Sequence, residues 1–138
     1  MDFICADLEG VFVPEVWINV AEKTGIDELK LTTRDISDYH VLMSKRLAIL
    51  EAHDLTLTDI KDVIATIEPF EGAKGFLDWL RARFQVAVCS DSFEQFADPL
   101  MEKLGRPTLF CNSLVIEDDR IIGYTMRQED QKRKVVQA

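Results

Sequence analysis

Phe3-Ile4-Cys5-Ala6-Asp7-Leu8-Glu9-Gly10-Val11 opens the chain with a short apolar run, a carboxylate at its end, a second carboxylate two residues on, and glycine. A bounded apolar run of this length reads as a buried strand. In open α/β sheets ligands gather outside the carboxyl ends of the strands, which is where Asp7 falls. A carboxylate held there can act as a nucleophile. Glu9 points back at the same spot and can trade a proton with the leaving or attacking oxygen. Acid-x-acid-Gly also makes ordinary turns, so the rest of the chain has to decide between the two readings.

Val86-Ala87-Val88-Cys89-Ser90-Asp91-Ser92 repeats the arrangement, an apolar run that ends in a hydroxyl. Phe93, Phe96, Ala97, Leu100, Met101 and Leu104 then recur at the spacing of one helical face, and Gly105 and Pro107 stop it. Ser90 is thus expected between a strand's end and a helix's start. Free backbone N–H groups and the helix dipole favour an anion there. The plainer reading makes Ser90, Asp91 and Ser92 caps of the helix, and for Asp91 and Ser92 the residues alone favour it.

The remaining pattern is strand, helical insert, helix, strand, helix, strand, hairpin. Residues 3–6 are the first strand, 85–89 the second and 108–111 the third. From Glu15 to about Glu68 there is no strand signal. Val16 to Lys23 and Tyr39 to Ala52 read as helices, and Ile60, Val63, Ile64 and Ile67 form a helix face with Thr58 as its N-cap. Ala73, Phe76, Leu77, Leu80 and Phe84 give the face of a core helix. Val115-Ile116 and Ile121-Ile122, joined through Asp118-Asp119, read as a hairpin. The expected organisation is an α/β core formed by 1–14 and 69–138, with 15–68 as an inserted helical cap. Neither repeats nor low-complexity segments interrupt it.

Of 138 residues, 47% are hydrophobic and 30% charged, ordinary for a globular chain. The formal net charge of −9 gives no general attraction to nucleic acid or an anionic membrane. No apolar run approaches the ~20 residues that span a bilayer. The N-terminus shows no basic stretch followed by an apolar segment. Cys5, Cys89 and Cys111 are odd in number, with no C-x-x-C pair, and read as small buried apolar residues of a reducing compartment. A cytoplasmic location is the expectation. His40 and His53 read as solvated surface.

Taken together, Asp7-x-Glu9-Gly10-Val11, Ser90 after a strand and a later lysine resemble motifs one to three of the haloacid dehalogenase (HAD) superfamily of phosphatases. Pro14-Glu15, Lys45-Arg46-Leu47-Ala48-Ile49-Leu50 in the helical stretch, Pro69-Phe70-Glu71-Gly72-Ala73, Leu104-Gly105, Asn112 and a hairpin ending at Gly123 follow in the order of the phosphoserine phosphatases. Asp7-Leu8-Glu9-Gly10 and Ser90-Asp91-Ser92 look most like the bifunctional phosphoserine phosphatase/homoserine phosphotransferase branch. The resemblance spans essentially the whole chain, and the order and spacing of the motifs carry it.

The resemblance implies a HAD-like, Rossmannoid parallel sheet with a helical cap. It implies Mg²⁺-dependent phosphoryl transfer from phosphoserine to water or homoserine, in amino-acid biosynthesis, through an aspartyl-phosphate on Asp7. Glu9 would move the proton. Asp7 and the Glu9 backbone carbonyl would hold Mg²⁺. Ser90 would grip the phosphate, and Asp91 of the same motif joins the substrate-binding set. Lys132 would neutralise the remaining charge, with Arg133 as the fallback; the plain reading of Lys132-Arg133-Lys134 is a solvated basic start to a final helix. Arg46 would bind the substrate carboxylate and Glu15 its ammonium. Their plain readings are a helix-surface arginine paired with Glu51 or a neighbour, and a glutamate suited to a helix dipole.

Two departures from the family pattern stand out. Position 9 is Glu where most of these phosphatases carry Asp, one methylene longer, which favours an alcohol acceptor such as homoserine over water. The family's fourth motif, which supplies further Mg²⁺ ligands, has no counterpart before Ala138. The expectation is therefore a core incomplete at the C-terminus. The alternative is an inactive N-terminal fragment or a binding protein of the same fold. Glu9 argues against a metal-free dehalogenase, and the helical insert against a phospho-accepting receiver domain.

Overall fold

The computed structural model describes residues 2–127. The elements are β1 (Phe3–Ala6), α1 (Val16–Thr24), a 3-10 turn (Asp27–Lys30), α2 (Tyr39–Ala52), α3 (Leu57–Ala65), α4 (Ala73–Arg81), β2 (Gln85–Phe93), α5 (Glu94–Lys103), β3 (Thr108–Glu117) and β4 (Arg120–Thr125). The sheet order is β1-β2-β3-β4. The first three strands run parallel and β4 antiparallel to β3. Parallel neighbours require crossovers, which the helical stretch with α4 and then α5 supply. Among the described residues 15–68 hold helices and turns and no strand.

Local chemistry sets the helix ends. Gly25 terminates α1 at φ +75°, a left-handed conformation that glycine adopts without Cβ strain, and its N–H donates to Ala21 C=O at 2.9 Å. Asp38 starts α2, its carboxylate accepting from the N–H groups of His40 and Val41. Thr58 is not the cap of α3. Thr56 is, because Asp59 lies three residues on and completes a reciprocal capping box with it.

Two strands outrun their expected ends. β2 continues through Ser90-Asp91-Ser92 to Phe93, with a register shift against β3 between Cys89 and Phe93. The helix behind it is capped by Phe93 with no side-chain bond, so Asp91 and Ser92 are not caps. β3 absorbs the first arm of the hairpin: its beginning pairs with β2 and its end with β4. Asp118 and Asp119 turn the hairpin with φ of +49° and +60°, the paired left-handed conformation of a tight two-residue loop. Phe76, expected on the core face of α4, is instead half exposed and stacked on Trp79. His40 is exposed as expected, yet it stacks on Tyr124 and hydrogen-bonds its hydroxyl.

A continuous core joins the helices of 16–65 to the sheet: Val20, Leu29, Met43, Ile60 and Ile64 cluster with Leu77, Val88, Phe93, Phe96 and Leu100. Charge adds to this at α3. Its first N–H groups donate to Asp119, from Leu57 to the backbone carbonyl at 2.8 Å and from Thr58 to the carboxylate at 3.3 Å. At the other end Lys103 Nζ donates to the carbonyls of Ala65 (2.8 Å) and Ile67 (2.7 Å) and to Glu68 (3.0 Å). An anion at the N-terminus and a cation at the C-terminus both suit the helix dipole. Cys5, Cys89 and Cys111 are free thiols, of which Cys89 is buried.

Candidate active site

β1 ends at Ala6, and Asp7 stands exposed at its carboxyl end. Its Oδ1 accepts from Leu8 N–H at 2.9 Å. Buried Leu8 anchors a tight coil: the N–H groups of Phe12 and Val13 donate to Leu8 C=O, and Gly10 N–H donates to Val13 C=O at 2.7 Å. Gly10 sits at φ +83°, which explains the glycine. The coil carries Glu9 to the start of α1, where Oε2 accepts from Val16 N–H at 3.0 Å. Burial lifts the Glu9 carboxyl above the ordinary carboxylate range. The Val16 hydrogen bond and Arg46 oppose that shift; Glu15 and Asp7 add to it.

Ser90, Asp91 and Ser92 form the irregular end of β2. Ser90 Oγ accepts from Ser92 N–H at 3.0 Å, and both serines are buried. The Asp91 carbonyl accepts from Tyr39 O–H at 2.9 Å and from buried Asn112 Nδ2 at 3.0 Å. Asn112 Oδ1 in turn accepts from Arg127 N–H. A residue of α2 and a residue of β3 thereby fix the backbone on which Ser90 rides.

Arg46 is buried rather than paired on the helix surface, with 6% of its area exposed. Its guanidinium lies 4.6 Å over the Trp17 ring, Nη2 donates to Leu31 C=O at 3.1 Å, and Nε has no partner. Burial lowers its pKa to about 10, and the acidic groups Tyr39, Glu9 and Glu15 resist that fall. It remains a cation at neutral pH. Glu15 precedes α1 without capping it through its side chain. Its carboxylate accepts instead from Arg34, Nη1 to Oε1 at 3.2 Å and Nη2 to Oε2 at 3.3 Å.

One cleft of about 190 Å³ is lined by Asp7, Glu9, Glu15, Arg46, Ser90 and Asp91 together. Lys132 and Arg133 lie outside the described residues. Trp17, Thr32, Thr33, Arg34, Tyr39, Leu42 and Ser92 also line the cleft. Of these, Tyr39 and Leu42 share with Arg46 the i, i+3, i+7 spacing of one helical face, a signal legible in the sequence. Thr32-Thr33-Arg34 has no such signal, because a loop without periodicity reveals its direction only in three dimensions.

Asp7, Glu9 and Asp91 line the cleft, and oxygen is the hard kind of donor that Mg²⁺ prefers. Among the described residues there is no group of three or more His, Cys, Asp or Glu side chains placed to hold a metal. Mg²⁺ commonly takes one or two carboxylates and fills its remaining positions with water and substrate phosphate, so the donor set fits in kind. Among the described residues no helix is long and apolar enough to cross a membrane.

No protein-family model matches the chain. Phosphoserine phosphatase ThrH of Pseudomonas aeruginosa is 61% identical over 137 residues, covering 99% of this chain and 67% of the relative. A phosphoserine phosphatase of Pseudomonas syringae pv. tomato is 55% identical over 139 residues, covering 100% of this chain and 59% of the relative. The chain thus spans only part of the length of the curated relatives it matches. The solved structure of a phospho-aspartyl intermediate analogue of phosphoserine phosphatase superposes with a TM-score of 0.70 at 26% identity, over 91% of this chain and 63% of that one.

Proposed function

Because this chain belongs to the phosphoserine phosphatase family, of haloacid dehalogenase fold, we propose that its cleft transfers the phosphoryl group of phosphoserine through Asp7 to water or homoserine, with Mg²⁺. The observation that carries the reading is the convergence of Asp7, Glu9, Glu15, Arg46, Ser90 and Asp91 on one cleft from three separate stretches of chain. In this reading residues 15–68 act as the cap over a core formed by 1–14 and 69–138.

The chemistry follows from the placement of each group. A carboxylate oxygen of Asp7 attacks phosphorus, and the bond from phosphorus to the seryl oxygen breaks. Glu9, whose pKa burial raises, gives a proton to that leaving oxygen. The acceptor, water or the homoserine hydroxyl, then loses its proton to the Glu9 carboxylate and attacks the same phosphorus. The bond from phosphorus to Asp7 breaks, restoring the carboxylate and releasing phosphate or phosphohomoserine. The Ser90 hydroxyl donates to a phosphate oxygen, and the tethered backbone of Asp91 keeps it aimed. Arg46 meets the substrate carboxylate and Glu15 its ammonium. Asp7 and the Glu9 carbonyl would hold Mg²⁺, which supplies charge neutralisation to the phosphate when bound. The longer side chain at position 9 supports the homoserine acceptor, since it shifts the base relative to a small water.

Acid-quenched mixtures of the chain with phosphoserine and Mg²⁺ test the reading by mass spectrometry. A phosphoryl increment on the peptide containing Asp7 is the expected result, and Asp7→Asn should reduce it to background, because an amide cannot form the acyl-phosphate. A label that persists in the variant would overturn Asp7 as the nucleophile.

A further inference from the structure

The cleft contains one ion pair with no role in the scheme above. Arg34 belongs to the loop between the 3-10 turn and α2, and both nitrogens of its fork reach both oxygens of Glu15. The loop itself is braced. Thr32 N–H donates to Asp35 Oδ2 at 3.0 Å, Asp35 N–H to Thr32 C=O at 2.9 Å, and Arg34 N–H to Thr32 Oγ1 at 3.2 Å. The backbone at Arg34 is therefore held, while its side chain is 70% exposed. Exposed ion pairs are weak and break readily. Glu15 is also the carboxylate assigned to the substrate ammonium, so the Arg34 guanidinium and the ammonium compete for the same two oxygens.

We propose that Arg34 is a substrate-exchange residue: the ammonium of the phospho-amino acid displaces it from Glu15, and its guanidinium then closes on the substrate carboxylate beside Arg46. This rests on the reading of the cleft as a phosphoserine site. The geometry of an α-amino acid supports it. Ammonium and carboxylate share one carbon, so a ligand whose ammonium reaches Glu15 presents its carboxylate within reach of the guanidinium just displaced. The planar fork that now fits one carboxylate fits the other equally well. Arg46 brings only part of its fork to that carboxylate: one Nη2 N–H donates to Leu31 C=O, one Nη1 N–H faces the Met43 sulfur at 3.7 Å, and Nε is the buried donor without a partner, so a second guanidinium adds donors that Arg46 lacks. Charge points the same way. Among the described residues the cleft is lined by Asp7, Glu9, Glu15 and Asp91 against two arginines, and the ligand adds a phosphate and a carboxylate against one ammonium. Freeing Arg34 supplies a cation as that negative charge enters. The exchange also builds in selectivity, since a phosphate ester without the amino group leaves Arg34 on Glu15 and gains neither contact.

Titration calorimetry of the full chain with phosphoserine, and with 3-phosphooxypropanoate as the amino-free analogue, tests the exchange. Arg34→Ala should weaken phosphoserine binding about tenfold, the scale of one charge-assisted hydrogen bond, and weaken the analogue less than about twofold. Arg34→Lys should fall between, because an ammonium cannot fork. Circular dichroism and Arg34→Gln guard against a folding artefact. Unchanged or tighter phosphoserine binding in Arg34→Ala and Arg34→Gln would overturn the exchange, as would equal weakening of both esters, which marks a general charge effect. If wild type binds neither ester, the phosphoserine reading of the cleft fails and the exchange with it. If wild type binds phosphoserine and the variants match it, the exchange alone fails.

Discussion

Glu9 brings a carboxyl group into surroundings that resist its charge. Burial is the leading cause that raises its pKa, so the folded chain favours the protonated form more than the unfolded chain does. A group raised in this way adds stability below its unfolded pKa and loses that contribution as pH rises through the folded value. Glu9→Gln is neutral at every pH and keeps an oxygen for Val16 N–H. It should therefore melt above wild type near neutral pH, with the gap closing toward pH ~4, where both side chains are uncharged. Thermal melts across that range check the sign; equal melting temperatures throughout would show that Glu9 ionises in the fold as freely as in water. The same substitution should slow phosphoryl transfer roughly 10²–10⁴-fold, the usual worth of one positioned proton donor. Stability at this position is thus set against proton transfer.

Among the secondary elements, α3 shows how much of its stability comes from residues far along the chain. Lys103 makes three hydrogen bonds from a partly exposed ammonium, one to Ala65 in the last turn of α3 and two to Ile67 and Glu68 just beyond it. Lys103→Met keeps the aliphatic stem and removes the donors. It should lower the unfolding free energy by about 1–2 kcal/mol in urea titration, given the usual size of charged hydrogen bonds discounted for partial exposure. Because Lys103 does not line the cleft, phosphoserine affinity should not change. The sequence disclosed the elements whose determinants are local. The strand-free run of 39–52 and the glycine after α1 give α2 and α1 nearly to the residue. It placed Asp7 and Glu9 just past the end of β1, because an apolar run that stops at a polar residue marks a strand end. It misplaced the end of β2 because Ser90-Asp91-Ser92 reads as a cap, while the structure holds that segment through Tyr39 and Asn112, contacts of long range. Arg34 was hidden for the same reason: its partner Glu15 is set by the path of a loop.

At the scale of the whole molecule, the buried cluster passes without a break from the helices of 16–65 into the sheet. Two tryptophans report on its two sides, Trp17 in α1 and Trp79 in α4. In the single-tryptophan variants Trp79→Phe and Trp17→Phe, the fluorescence transitions in urea should share one midpoint within error, as a cooperative unit requires. A separate, earlier transition of Trp17 would mean that the helical stretch melts by itself. The clamp on α3 has a further consequence for how such chains can be recombined. Asp119 and Lys103 lie far downstream of the helix whose ends they hold. A helical insert transplanted from a relative would carry the local Thr56/Asp59 capping box with it, but its third helix would lose the distant bonds at both ends unless the hairpin carboxylate and the ammonium at the end of α5 were transplanted too. The unit of exchange in this architecture is therefore not a continuous cassette but a helix together with its two distant anchors.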